Sequence, residues 1–236
     1  MEKSFQITSP FFEVGPKAYA YGQDILRLAK FADQLSEAYG VQIIFTPQYV
    51  DIPLLAQGTR KIRVFAQHID ALPVGRGIGS VLPEAVKAAG AAGSLLNHAE
   101  KRLPWEELVR TVQRAEQVGL ATMVCAGSLE EVEAVAHLNP DILLAEPPEL
   151  IEGGQRSAQY QATIQKINQV VREINPGIRV LHGAGINSEQ DVYDVICNGA
   201  EATGSTSAIF KAPNPQAMLE KMIRAVREAW NTTHPS

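Results

Sequence analysis

Cysteine is scarce in this 236-residue chain, which carries only Cys125 and Cys197. Two isolated thiols without metal-ligand spacing build neither a disulfide framework nor a zinc site, so both read as small core residues. Positive charge is also in deficit: 21 Lys and Arg against 26 Asp and Glu give a formal charge of -5 and a pI near 5.6. The basic residues are scattered rather than blocked, which leaves no electrostatic footprint for nucleic acid or an anionic membrane. No apolar run approaches the roughly 18 residues of a membrane span. The opening MEKSFQITSPFF lacks a basic stretch followed by an apolar one, and the chain is expected to be cytoplasmic. Ser- or Pro-rich linkers and low-complexity segments are missing too. With 45% hydrophobic residues there is ample material for one full core and none for a disordered tail.

Short apolar runs alternate with amphipathic helical stretches along the whole sequence, the pattern of βα units around a parallel sheet. Strands are predicted at 11–14, 41–46, 63–66, 93–96, 121–126, 141–145, 178–181 and, less regularly, 200–205. Helices are predicted at 24–39, 83–89, 104–118, 129–137, 158–174, 189–197 and 215–230, with a short helical turn near 52–56. Ser128 and Ser188 stand as N-caps before LEEVEAVAHL and EQDVYDVICNG, each followed by acidic first-turn residues. Gly40, Gly90, Gly119 and Gly199 stand where helices should stop. Eight such units without a composition break predict one α/β domain over residues 1–236, a closed (β/α)8 barrel, with a doubly wound open sheet as the competing fold.

Active sites of such barrels lie at the C-terminal strand ends, so the polar residues directly after each apolar run are the candidates. These are Lys17, Gln48, Gln67 with His68, Asn97 with His98, Glu146, the turn Gly183–Gly185, and Thr206 with Ser207. A lysine, a histidine and a glutamate at three strand ends supply a cation, an acid and a base, a set suited to proton transfer beside a carbonyl. His68 and His182 read instead as satisfied hydrogen-bond partners, and His137 and His234 as surface residues. The turn HGAGI and the stretch GSTS, at the seventh and eighth strand ends, fall where barrels commonly bind phosphate. AEPPELIEGGQ, stiff at Pro-Pro and flexible at Gly-Gly, reads as a lid.

With VFAQHID, VLPEAVKAAGAAGSLLNHAEKR, AEPPELI and GAGI in this order, the chain resembles the triosephosphate isomerase family, in particular its shorter archaeal branch, nearly end to end. The resemblance implies a TIM barrel that interconverts glyceraldehyde 3-phosphate and dihydroxyacetone phosphate through an enediolate, with no metal or organic cofactor. It implies Lys17 as the substrate-binding lysine, His98 as the electrophile, Glu146 as the base and Glu100 as the acid behind the lysine, with Asn97 the usual residue before His98. Main-chain N–H groups at Glu152, Gly185, Thr206 and Ser207 would receive the phosphate. His98 would be kept neutral by a following helix N-terminus, and the chain would form a homo-oligomer, dimer or tetramer.

Several positions depart from that pattern. Gly15 stands in place of the asparagine of Asn-x-Lys, which predicts a wider or misaligned pocket wall. Ala99 replaces a serine, and the lid ends in Glu152-Gly153-Gly154 rather than Gly-Thr-Gly. Ile78 replaces an interface threonine. The eighth strand carries Thr203, Gly204 and Ser205 where aliphatics are expected, which either removes core burial or makes room for polar substrate groups. A triose phosphate isomerase is the leading expectation. The alternatives are an isomerase of a related sugar such as a tetrulose phosphate, a phosphosugar-binding paralogue without turnover, and another phosphate-barrel chemistry such as an aldolase.

Overall fold

In the computed structural model, residues 6–147, 158–183 and 185–235 are described. Eight parallel strands close in the order β1 to β8, with β8 paired back onto β1. They are β1 (Phe11–Val14), β2 (Gln42–Phe45), β3 (Arg63–Ala66), β4 (Gly93–Leu96), β5 (Ala121–Ala126), β6 (Ile142–Ala145), β7 (Arg179–His182) and β8 (Ala202–Ser205). The helices are α1 (Gly22–Tyr39), α2 (Ile52–Gly58), α3 (Pro83–Ala88), α4 (Trp105–Val118), α5 (Leu129–Ala136), α6 (Ala158–Ile174), α7 (Glu189–Cys197), α8 (Ser207–Phe210) and α9 (Pro215–Thr233). The closed ladder excludes the open sheet.

Closure sorts each strand by parity, because successive side chains point to opposite faces. Phe12, Val14, Ile43, Phe45, Val64 and Val124 face outward into the layer shared with the helices. Phe11, Ile44, Phe65, Leu95, Met123, Cys125, Leu144 and Leu181 fill the lumen. Gly93 lets one of them in: a Cβ there would lie 2.6 Å from the Phe65 ring. The barrel is thus a packed plug below its mouth.

Most expected boundaries hold, and the others shift by one to three residues with local causes. The eighth strand starts at Ala202 because the Ala200 N–H still bonds back to the Val195 carbonyl at 3.3 Å, closing α7. The seventh starts one residue late because the Ile178 N–H closes a turn onto Asn175, and it takes His182 into its ladder. The short turn near residue 52 extends to Gly58, behind a 3-10 turn at Tyr49–Asp51. The helix α8 was not foreshadowed by periodicity, being a single turn. Ser128 and Ser188 do cap, accepting the Glu131 and Asp191 N–H groups at 3.2 Å each. Gly40 and Gly119 end α1 and α4 at φ of +62° and +72°.

Candidate active site

Continuing the inward parity beyond each strand end brings the chemistry-bearing residues to one rim. Leu144 points into the lumen, so Glu146 does as well; Leu181 is followed in the same way by Gly183, and Phe65 by Gln67. A cavity of about 500 Å³ opens there, lined among others by Glu13, Lys17, Gln67, His98, Glu100 and Glu146. Lys17, His98, Glu146 and Glu100 therefore converge on one mouth. Thr206 reaches it too, while Ser207 lines an adjoining hollow with Lys17 and Lys211. Gly185, at φ +71°, is in the turn after β7. Glu152 and most of the expected lid lie outside the described residues.

Lys17 holds a φ of +47°, a left-handed conformation costly for a residue with a side chain. Two amides fasten it: Gln48 Nε2 and Gln67 Nε2 both donate to its carbonyl, at 2.6 and 3.0 Å. Its ammonium then reaches across the rim to Glu100 Oε1 at 2.6 Å. The Lys17 hydrogen bond and charge hold the Glu100 carboxyl below the usual range.

His98 follows Asn97, which adopts φ +59°. The Asn97 amide donates to the Cys125 carbonyl at 3.0 Å and accepts the Leu103 N–H at 3.1 Å, tying the loop to β5. His98 Nδ1 accepts the Glu100 N–H at 3.1 Å, so in the neutral ring the proton is on Nε2. Nε2 stands 3.8 Å from Glu146 Oε2. Burial lowers the His98 pKa, with Lys17 adding to it and Glu146 opposing, so the imidazole is neutral near pH 7. The expectation of a helix N-terminus after His98 is corrected here: a tight turn follows, closed by the Lys101 N–H on the His98 carbonyl at 2.8 Å, and α4 begins only at Trp105. Burial, not a helix N-terminus, lowers the His98 pKa, and the Glu100 N–H fixes which ring nitrogen carries the proton.

Glu146 is set close to β7, where Gly183 supplies clearance: a Cβ there would come within 2.9 Å of Glu146 Oε1. This first glycine of HGAGI thus serves the carboxylate. Ser205 Oγ donates to the Ile186 carbonyl at 3.2 Å, joining the end of β8 to the turn after β7. His182 is buried, pairs through Nε2 with Asn168 Oδ1 at 2.9 Å, and is pushed down to about 4 by burial. His68 pairs with Asp70 at 3.0 Å, although it also borders the cavity. Among the described residues no group of three His, Cys, Asp or Glu side chains could hold a metal ion.

The reading of Gly15 and the eighth strand as widened space needs correction. A carboxyl fills it. Glu13 lies on the lumen face of β1, opposite Gly204 in the ladder. A Cβ on Gly15 would meet Glu13 Oε1 at 2.8 Å, and one on Gly204 would meet Oε2 at 2.9 Å. Thr203 and Ser205, the other departures in β8, are buried and hydrogen-bonded to the His182 and Ile186 carbonyls. Glu13 is not among the strand-end candidates because it lies inside β1. The signal was a charged residue at the inward position of FFEV, matched by an eighth strand without aliphatics.

A family model for triosephosphate isomerase matches residues 17–225. This chain belongs to the triosephosphate isomerase family. It is 39% identical over 206 residues to the triosephosphate isomerase of Methanobacterium bryantii, covering 87% of this chain and 91% of that one. To that of Sulfurisphaera tokodaii it is 38% identical over 218 residues, 91% of this chain and 94% of the other. To that of Methanosarcina barkeri it is 35% identical over 220 residues, or 92% and 99%. The archaeal character expected from the motifs is thus matched by relatives that align over nearly their whole length.

Proposed function

We propose that this barrel mouth interconverts glyceraldehyde 3-phosphate and dihydroxyacetone phosphate through an enediolate, with Lys17, His98, Glu146 and Glu100 as the working groups. The observation that carries the reading is the His98 ring, with Nδ1 occupied by a backbone N–H and Nε2 directed at Glu146. Glu146 takes a proton from the carbon beside the carbonyl and returns it to the neighbouring carbon. His98 Nε2–H donates to the carbonyl oxygen and moves a proton between the two oxygens. Lys17 offsets the charge that develops on them, and Glu100 holds Lys17 in place. This division of labour is the one already established for the family, not a new reading.

The phosphate is assigned to main-chain N–H groups at Gly185 in the turn after β7, at Thr206 and Ser207 where α8 begins, and at Glu152. A Glu152 carboxylate beside a phosphate would be repelled by about 1 to 4 kcal/mol at contact, depending on screening, unless it turns away. The relatives' shared name gives no support to a tetrulose phosphate substrate or a binding-only role. Among the described residues no helix is long and apolar enough to cross a membrane. We further assign the enzyme to the cytoplasm, as a homo-oligomer whose interface includes the fully exposed Ile78 and its exposed neighbour Val74.

The test is conversion of glyceraldehyde 3-phosphate by the purified protein beside Glu146→Gln. Turnover is expected in the former, with kcat about 10³-fold lower in the variant, within the range general-base removal produces. Equal rates in the two proteins would refute the assignment of the base.

A further inference from the structure

One carboxyl at the mouth is used by no step above. Glu13 lines the same cavity as Lys17, His98 and Glu146, yet it is seated deep, between the two glycines that leave its space. The Thr46 hydroxyl donates to Glu13 Oε1 at 2.6 Å. That bond fixes the carboxyl plane and leaves Oε2 as the oxygen to carry a proton. The charged and titratable groups that face it are Lys17 from the loop after β1, Glu146 from the end of β6 and Cys125 from β5. β2 contributes Thr46, and β8 presents only Gly204. Burial, reinforced by the Glu146 charge and opposed by Thr46 and Lys17, pushes the Glu13 carboxyl up to about 7. A neutral carboxyl is a donor, whereas an ionised one only accepts.

We propose that Glu13 is a further substrate-contacting residue, its Oε2–H donating to an oxygen of the two reacting carbons and sharing with His98 and Lys17 the stabilisation of the enediolate. The inference rests on the isomerase reading of the site. A neutral acid donor held in a shielded pocket stabilises developing negative charge without adding a charge of its own. The ionised form would instead set a second carboxylate against the enediolate, so the acid form is the working one. Activity should fall as the pH rises through the ionisation of Glu13.

The experiment compares the full-length protein with Glu13→Gln and Glu13→Ala, measuring kcat/KM from pH 5.5 to 9 and binding of the unreactive analogue glycerol 3-phosphate by calorimetry. Glu13→Ala is expected to lower kcat/KM by about 10²-fold, the scale of losing one oxyanion donor. Glu13→Gln, whose amide still donates, should recover most of that loss and abolish the alkaline decline centred near pH 7 in the wild type. Wild-type kcat/KM with an unchanged pH profile in both variants would overturn the proposal. If the wild type itself does not isomerise triose phosphate, the isomerase reading fails and analogue binding decides the role of Glu13. Weakening in Glu13→Ala that Glu13→Gln restores would support the contact, and unchanged affinity would overturn it. Melting temperatures separate a lost contact from a lost fold, with Glu13→Gln as the variant that preserves volume.

Discussion

Two glycines in the barrel wall each yield their side-chain space to a neighbour, one at the floor of the lumen and one at its mouth. Gly93 in β4 admits the Phe65 ring, and Gly204 in β8 admits the Glu13 carboxyl. The geometric device is the same, but its products are opposite. The floor gains a rigid apolar plug, fully buried and surrounded by Phe11, Ile44 and Leu95. The mouth gains a titratable group that keeps contact with the cavity. Small residues in a barrel wall are therefore not voids, and which neighbour turns inward decides whether such a position serves stability or chemistry.

The comparison breaks most severely at the floor. A Cβ on Gly93 would lie 2.5 Å from the Ala121 carbonyl oxygen and 2.6 Å from two carbons of the Phe65 ring. Neither neighbour can give way, since one is backbone in a parallel ladder and the other fills the lumen. Gly93→Ala is expected to destabilise the fold by about 3 kcal/mol, the upper part of the overpacking range. Urea unfolding at neutral pH measures it, and the loss should vary little with pH because the atoms that the Cβ would crowd, the Ala121 carbonyl oxygen and the Phe65 ring, do not titrate. A loss below about 0.5 kcal/mol would mean that the lumen floor is not packed as tightly as the wall geometry implies.

The mouth should behave differently, because its occupant exchanges a proton. Glu13 titrates near the ordinary 4.5 when unfolded and near 7 when folded. The folded state then binds the proton more tightly. The stabilisation is fully present below about 4.5, falls as the pH rises towards 7, and changes no further above that. The loss amounts to about 2 to 3 kcal/mol, the upper end applying if the cavity shields the group fully. Glu13→Gln has no such slope. Its stability relative to wild type should rise by that amount between pH 4 and pH 8, as read from paired urea curves; parallel pH profiles would refute the shifted titration.

How far the sequence revealed this follows the same division. Parity and periodicity make strands, helices and strand-end polar residues legible, so Lys17, His98 and Glu146 could be picked out as converging groups. The motifs around Asn97 and Pro147 then tied them to a family. Glu13 was not legible in that way, because a residue inside a strand is sorted as core, and only the ring closure of β8 onto β1 sets it against Gly204. The neutral His98 was expected from a helix N-terminus, whereas its cause is burial at the barrel mouth, and the tautomer is set by one backbone N–H in a turn that no periodic signal encodes. Long-range pairing and single hydrogen bonds are the features that local pattern does not contain.

The smallest effect sharpens the comparison most, because it isolates a single contact. A Cβ on Gly15 would meet Glu13 Oε1 at 2.8 Å and Thr206 Oγ1 at 3.1 Å, both of them side-chain atoms rather than backbone. Gly15→Ala should therefore cost about 1 kcal/mol, less than the floor substitution, because the crowded atoms can turn aside. Most of that cost should vanish in a Glu13→Ala background, where only the Thr206 contact remains. A double-mutant cycle on stability is expected to give a coupling of at least about 0.5 kcal/mol between the two positions. Strict additivity would mean that the carboxyl does not occupy the notch beside Gly15. The alanine at position 15 would then cost the same whatever stands at 13, and the room at the mouth would be open space rather than a seat for Glu13.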